Sequence, residues 1–283
     1  MASMFSTAVG FDNGGQPLVT KTNGWNTSKV TTMASMFSVA QKFNQPVTGW
    51  DTSKVTTMAS MFSNAILFNK PLTGWNAESV TTMATMFSVA SSFDQNMSSV
   101  KTTNVQNMNQ MFLNAAKFNN GGEAWTQSTN GWNTANVTDM AFMLSKTAIN
   151  QDMSSWNTGN VTTMASMFGT STSFNQNINN WDVRKVTNMS NMFSAASAFN
   201  QPLNNWKTDS LVNMNSTFKN AVVFNQPLNN WTTSKVTDMN GTFYGTFVFN
   251  QNLNSWTVTQ APPHTQFDYL SALTAGNLPN FIS

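Results

Sequence analysis

The side chains that most often carry out chemistry are scarce in this sequence. His264 is the only histidine and there is no cysteine, so a Ser-His-Asp triad, a Cys-His pair and a thiolate metal site all lack material. The 11 Asp and Glu residues are scattered, without a closely spaced pair that would suit glycosidase-type acid and base catalysis. No glycine-rich phosphate loop stands between a strand and a helix. We therefore expect a protein that is not an enzyme and that uses no cofactor and no metal.

Two asparagine-glycine segments are candidate contacts for a partner, and they begin the insertions at 12–24 and 119–131. Their residues are Asp12, Asn13, Gly14 and Gly15 in the first and Asn119, Asn120, Gly121 and Gly122 in the second. They offer too few oxygen ligands to predict a calcium site. One interpretation is a duplicated block of four repeats that carried its insertion with it. The other is a pair of binding loops about 20 Å apart on one edge of the repeat array.

Four lysines share one position in the repeat, four residues after tryptophan: Lys29, Lys54, Lys185 and Lys235. Like charges stacked a few ångströms apart are not buried together, so this position should face water. It is either a weak contact surface for a partner or an ordinary solvated face.

Three further polar series recur along the chain. A threonine two residues after tryptophan is replaced by Ala77, Val183 and Val258, which predicts an inward-facing column that could not bind ice. Paired threonines such as Thr56-Thr57 should cap the first turn of a helix. An asparagine after phenylalanine should satisfy backbone groups in a tight turn.

A stretch of 11 residues, Val55 to Ala65, contains the element that must position these side chains. Its Met58, Met61, Phe62 and Ala65 follow the i, i+3, i+4, i+7 spacing of an amphipathic helix. About two turns of helix would fit, which is too short to be stable alone. Leu203, Trp206 and Thr208 reproduce the L-x-x-L-x-L spacing of a leucine-rich repeat and predict a short strand at Trp-x-Thr.

The tryptophans set a period of 25 residues almost throughout the chain. They are Trp25, Trp50, Trp75, Trp132, Trp156, Trp181, Trp206, Trp231 and Trp256, with Val100 in the vacant slot. Methionine and phenylalanine follow the same period, which falls in the range of leucine-rich arrays. We therefore predict an α/β repeat solenoid, a leucine-rich-repeat-like coil of about ten 25-residue repeats, each with a short strand and a short helix.

The repeat also suggests the domain organisation and the classes of partner. It predicts one array over residues 1–259 and a C-terminal cap or tail over 260–283, where the period dissolves. Charged residues make up only 8% of the chain and the net charge is +2, so we expect no nucleic-acid partner. The sequence has no run of 18 apolar residues, so we expect no membrane span, and the first residues do not have the pattern expected of a signal peptide. Met1 to Phe5 duplicates Met33 to Phe37, so the first coil should be uncapped and available for self-association.

The motif that runs from Phe199 to Ala221 and from Phe224 to Tyr244 resembles the BspA-like leucine-rich-repeat surface proteins. The resemblance covers roughly residues 1–258. It implies a right-handed solenoid, an extracellular or cell-surface location, and adhesion to a protein or glycan on a host, a matrix or a neighbouring cell. Members of that family differ in their partners, so no binding residue is carried over.

Three functions stay open from the sequence. The first is a non-enzymatic adhesion or binding module at the cell surface or outside the cell. The second is a structural subunit that stacks end to end into an extracellular fibre through the bare first coil. The third is binding of ice or another crystal surface, which requires a flat, outward-facing array of threonines.

Overall fold

A computed structural model describes residues 1–18, 25–258, 264 and 266–281. Its named elements are three short 3₁₀ turns, Asn13–Gly15, Asn120–Gly122 and Ala275–Asn277, and two strands, β1 (Thr257–Val258) and β2 (Asn280–Phe281). The strands pair in parallel, with Thr257 opposite Asn280. No α-helix occurs in the described part of the chain. The predicted α/β repeat solenoid, with a helix in each repeat, is therefore wrong.

A ribbon of tight turns takes the place of the expected helix. In the second full coil, Ser60 and Asn64 both adopt a φ of 57°, in the left-handed region. The amides of Met61 and Ser63 bond to carbonyls three residues back, at 3.2 and 3.1 Å. The amides of Met58, Ser60, Phe62 and Asn64 instead reach carbonyls of the next coil, at 2.8 to 3.1 Å. Amides thus alternate between a bond within the turn and a bond between coils, whereas a helix directs every amide within itself.

The spacing of the apolar residues correctly predicts which side chains are buried, although no helix forms. Met58, Met61, Phe62 and Ala65 are all fully buried. Left-handed residues four positions apart, as at Ser60 and Asn64, bring these side chains to one side of the ribbon. Because the next coil supplies backbone hydrogen-bond partners, the segment needs no helix to satisfy its amides.

Neighbouring coils lie parallel and in register along most of the chain. Isolated parallel bridges join Thr32 to Thr57 and Thr57 to Thr82, and they continue to Asp238. The bridged residues are 25 positions apart except at two bridges, Asn107 with Asp139 across the second insertion and Asp139 with Thr163 in a coil that is one residue shorter. Apart from the bridge between Asn76 and Lys101 and the strand β1, the Trp-x-Thr segments of the described coils form no strand.

The core consists of columns of identical side chains that run from coil to coil. The ring of Phe62 lies 5.5 Å from that of Phe87, nearly parallel to it, and 4.0 Å from Phe68 in its own coil. The tryptophan rings stack alongside, with Trp206 5.9 Å from Trp231. Each fully buried phenylalanine or methionine contributes roughly 1.5–3 kcal/mol by its removal from water. Because each coil buries its side chains against its neighbours, a single coil has no core of its own.

The regular columns end at the C-terminal segment 266–281. The amides of Phe243 and Gly245 bond to the carbonyls of Phe267 and Tyr269, at 2.7 and 2.8 Å. Phe267 lies over Phe243, but its ring is turned by 86° to an edge-on contact. This segment therefore packs on the last coil without repeating its stacking. The predicted boundary at residue 259 lies outside the described residues and stays a prediction.

Candidate functional site

The two insertions share one backbone conformation at their asparagine-glycine segments. Asn13 and Gly14 have φ angles of 50° and 60°, and the corresponding Asn120 and Gly121 have 54° and 65°. In both turns the asparagine side-chain amide donates to the carbonyl three residues later, at 2.7 Å for Asn13 and 2.9 Å for Asn120. Three consecutive residues in the left-handed region suit glycine, which explains the Asn-Gly-Gly sequence.

These segments are built into the fold more than they project from it. Asn120 is fully buried, and its Oδ1 accepts the amide of Met97 at 2.8 Å. The carboxylate of Asp94 accepts the amides of Asn119 and Gly121, at 2.8 and 2.9 Å. Only the glycines of the predicted contact set are exposed in these turns, so the turns offer backbone rather than side chains to a partner. Residues 19–24 of the first insertion lie outside the described residues.

A buried residue later in each insertion was missed by the sequence analysis. Leu18 and Trp125 are both fully buried and donate their amides to Pro46 and Asp152 of the following coil, at 3.0 and 2.8 Å. Both stand seven residues after a phenylalanine of the core, and this shared spacing is the signal that could have found them. Each insertion thus has an apolar anchor in the core.

The four lysines of the predicted contact set are all exposed. Lys185 donates to the side-chain oxygen of Asn160 in the preceding coil at 2.7 Å. Elsewhere in the column, Asn136 and Asn160 donate to backbone carbonyls of the coil before them, both at 2.8 Å. The lysine position therefore faces water, and it forms no continuous positive stripe.

The asparagines that follow phenylalanine form a continuous ladder. Each side-chain oxygen from Asn44 to Asn250 accepts the backbone amide of the residue at the same position in the next coil, at 2.8 to 3.1 Å. In several coils the next residue, a glutamine, adds a second bond, as Gln201 does to Asn175 at 3.1 Å. The prediction that this series satisfies backbone groups is confirmed.

The threonines two residues after tryptophan face inward, as predicted. Thr52 and Thr208 are each 1% exposed. The hydroxyl of Thr208 donates to the carbonyl of Thr232 at 2.9 Å and accepts the amide of the same residue at 2.8 Å. This column therefore joins coils and is not available to a ligand.

The paired threonines have a different role from the one predicted. The second of each pair caps a turn, since Thr57 Oγ1 accepts the amide of Ala59 at 3.3 Å, and the expected helix cap is wrong because no helix follows. The first of each pair is exposed, and its hydroxyl donates to the coil before it, as Thr56 does to Thr31 at 3.0 Å. The exposed positions form an outward column of Thr31, Thr56, Thr81, Thr138, Thr162, Thr187 and Thr237.

Two polar grooves open on the edge of the array where each coil turns from phenylalanine to tryptophan. The first has a volume of about 550 Å³, and its lining includes Asp152, Ser154, Asn177, Asn179, Asn180 and Asn205. The second has a volume of about 400 Å³ and is lined by Pro227, Asn229, Gln251, Asn252, Asn254 and Ser255. The sequence analysis missed both. The two grooves share one sequence feature, an asparagine three residues after phenylalanine (Asn177 or Asn252), where four other coils have proline and a third coil has Asn96.

The carboxylates of Asp51 and Asp182 accept hydrogen bonds from residues two positions later in the chain. The guanidinium of Arg184 donates to Asp182 at 2.6 Å and holds the pKa of that carboxyl below its usual range. The hydroxyl of Ser53 donates to Asp51 at 2.6 Å and lowers the pKa of that group as well. Both shifts favour the ionised carboxylate, which is the opposite of what a catalytic general acid needs.

Within residues 1–18, 25–258, 264 and 266–281, no three His, Cys, Asp or Glu side chains converge where a metal ion could be held. No helix in the same residues has the length and apolar character that crossing a bilayer requires.

Comparisons with known proteins place the chain in a family. No match was found among curated proteins or among solved structures. The model of the family described as "Mycoplasma protein of unknown function, DUF285" matches residues 1–125, 121–209 and 178–275. Successive matches along nearly the whole chain agree with its repeated construction. The chain therefore belongs to the family described as Mycoplasma protein of unknown function, DUF285.

Proposed function

We propose that the protein is a non-enzymatic adhesion or binding module that acts outside the cell and presents the polar edge of its stacked coils to a partner. The observation that carries this proposal is the distribution of polar side chains. The inward threonines and the asparagine ladder are used in bonds between coils, while the edge around Asn177 and Asn252 exposes amide groups in repeated positions.

The resemblance to the BspA-like surface proteins also supports an extracellular or cell-surface location. That resemblance now rests on the repeat motif alone, because the helix that a leucine-rich repeat would carry is replaced by turns. The rigid ladders suit a module that must hold a surface in place, since preorganised groups bind at a lower entropic cost.

A direct test is retention of purified full-length protein on surfaces coated with matrix proteins, with glycans or with whole cells, measured under flow. The expected result is saturable retention on at least one coating, competed by the soluble form of that coating. Retention on none of them, or retention that the soluble competitor fails to reduce, would contradict an adhesion role.

A second candidate, binding of ice or another crystal surface, gains support from the outward threonine column. Thr31, Thr56 and Thr81 are exposed in successive coils that are held in parallel register by the neighbouring bridges. Their spacing should match that of adjacent strands, about 4.8 Å. Thermal hysteresis of a concentrated solution tests this function, and Thr56→Lys should abolish any hysteresis that the wild type shows.

The stacking of copies into a fibre stays a third proposal. At the C-terminal segment the amides of Phe267 and Tyr269 bond within the segment, at 2.9 and 3.3 Å, so they are not offered to another coil. Another copy could therefore not add to that end as a regular coil, and for this reason we rank fibre formation below adhesion. Light scattering over a concentration series tests it, because stacking requires the mean particle mass to rise with concentration.

A further inference from the structure

The two edge grooves occupy the same place in the repeat, three coils apart. Asn177 and Asn252 stand three residues after Phe174 and Phe249, and each lines its groove. Asn179 and Asn254, two residues further on, have the same relation to them. With neighbouring coils about 4.8 Å apart, the grooves are separated by about 14 Å along the stack.

Both grooves keep hydrogen-bonding groups that the fold does not use. Asn177 Oδ1 accepts the amide of Asn179 at 3.0 Å, and Asn179 Oδ1 accepts that of Asn205 at 2.9 Å. Among the described residues, their two Nδ2 groups and the side-chain amide of Asn205 have no hydrogen-bond partner. In the second groove Asn252 Oδ1 accepts the amide of Asn254 at 2.8 Å, and the Nδ2 of Asn252 is likewise left to solvent.

We propose that these grooves are two subsites for one uncharged polysaccharide chain, which lies along the edge and crosses the coils. This inference rests on the proposed adhesion function and names the class of partner. A sugar hydroxyl both donates and accepts a hydrogen bond, and a primary amide does the same, so the two kinds of group are complementary. A polysaccharide of repeated sugar units suits a protein with repeated grooves, because different units of the same polysaccharide can occupy equivalent grooves.

The composition of the grooves favours a neutral glycan over other polymers. Neither lining contains lysine or arginine, and the first contains Asp152, so a phosphate or sulfate polymer would meet no positive charge and one negative charge. A protein partner would be anchored by aromatic or large apolar side chains, and Pro227 is the only apolar residue among the described residues that line the two grooves.

The same composition predicts that each groove alone binds the polysaccharide weakly and that the overall affinity depends on both grooves. No aromatic ring lines either groove, so sugar rings have no platform on which to stack. Occupying two linked sites on one chain raises the apparent affinity through the effective concentration of the second contact. Loss of one groove should therefore weaken binding several-fold, and loss of both should remove it.

The test is co-sedimentation of the full chain with insoluble cellulose, chitin and β-1,3-glucan. The principal variants are Asn177→Pro, Asn252→Pro and the double substitution, because proline is native at this position in four coils, including Pro202 and Pro227. Asn205→Ala removes an exposed amide without altering the backbone. Asn160→Ser, at an exposed position outside both grooves where Ser79 and Ser210 occur in other coils, is the matched control.

We expect the wild type and Asn160→Ser to sediment equally with at least one of these polysaccharides. Each single groove variant should lower the bound fraction several-fold, and the double variant about tenfold or more, with melting temperatures unchanged. If the proline variants have lowered melting temperatures, Asn205→Ala tests the first groove instead, and it should lower the bound fraction in the same way.

Two results would overturn the inference. One is wild-type protein that adheres to protein-coated surfaces but sediments with none of the three polysaccharides, which leaves the adhesion proposal standing. The other is a folded double variant that sediments as well as the wild type. Wild-type protein that adheres to nothing at all would instead remove the adhesion proposal itself.

Discussion

The side-chain oxygen of Asn175 accepts the backbone amide of Asn200 at 3.0 Å, although the two residues are 25 positions apart. The same oxygen accepts a bond from the side chain of Gln201 at 3.1 Å. One side chain thus serves two donors of the next coil, and its counterpart Asn200 does the same for the coil after that. The ladder transmits the register of the repeat from coil to coil.

Truncating one rung of this ladder should destabilise the protein measurably. Asn175→Ala leaves the amide of Asn200 without its acceptor, and we expect the free energy of unfolding to fall by about 1–3 kcal/mol. Asn175→Asp keeps an acceptor, as Asp12 and Asp94 do at the same position, and should cost less. Urea unfolding curves give the comparison. Equal losses for the two variants would contradict the role assigned to this oxygen.

The left-handed positions of the turn ribbon predict a reciprocal pair of substitutions. Val89 has a φ of 60°, a conformation that costs a β-branched residue about 1–2 kcal/mol, whereas asparagine tolerates it and occupies the same position as Asn64. Val89→Asn should therefore raise the free energy of unfolding, by up to about 1 kcal/mol. Asn64→Val should lower it by a similar amount. Thermal melting checks both, and a destabilised Val89→Asn would count against the left-handed turn.

Two tryptophans that are equally buried should respond differently to the same change. Trp206 Nε1 donates to the carbonyl of Ile178 at 3.0 Å, whereas Trp132 Nε1 is buried without a protein partner. Replacing either by phenylalanine removes comparable apolar area, but only Trp206→Phe breaks a hydrogen bond. We expect Trp206→Phe to cost about 1 kcal/mol more than Trp132→Phe in chemical denaturation. An equal cost would show that the indole bond adds nothing.

The ion pair between Arg184 and Asp182 should make a small, pH-dependent contribution. The pKa of Asp182 is lowered in the folded protein, chiefly by its bond to Arg184. The gain is therefore present at neutral pH and is lost as the pH falls through the ordinary value of 3.8 and into the lowered range. Because the arginine is largely exposed and solvent screens its charge, the difference in stability between wild type and Arg184→Gln should be small.

Unfolding measured at pH 7 and at pH 2.5 separates this contribution from a loss of packing. The two proteins should differ slightly at pH 7 and converge at the lower pH. High salt at pH 7 should also reduce the difference, because exposed charges are screened. A difference that is unchanged by both treatments would show that Arg184 acts through its hydrocarbon chain.

The period, the buried columns and two of the polar series could be predicted from the sequence, and the backbone could not. Met58, Met61 and Phe62 have the spacing of a helical stripe, and a ribbon of turns with left-handed residues at every fourth position buries the same set. The identity of Ser60 does not predict its φ of 57°, because serine has no special preference for the left-handed region. The ribbon is stable because of the neighbouring coil, which a local pattern does not describe.

The grooves escaped prediction for a related reason. Asn177 and Pro202 occupy the same position of the repeat, and the sequence analysis assigned no role to either. Only the stacking of three coils shows that the asparagines of one coil line the same groove as Ser154 and Asp152 of another. The signal was present in the sequence, but its meaning depended on which coils are adjacent.

The alternation of amide bonds in the turn ribbon also determines how the molecule would respond to mechanical load. A force that pulls on an outer coil is resisted by the few bonds that join it to the next coil, and by none of the bonds further inside. Coils should therefore detach one after another, in equal steps except at the two coils that carry insertions. Each 25-residue coil would release roughly 85 Å of extended chain. The array would then behave as an extensible tether that yields gradually while its remaining coils stay intact.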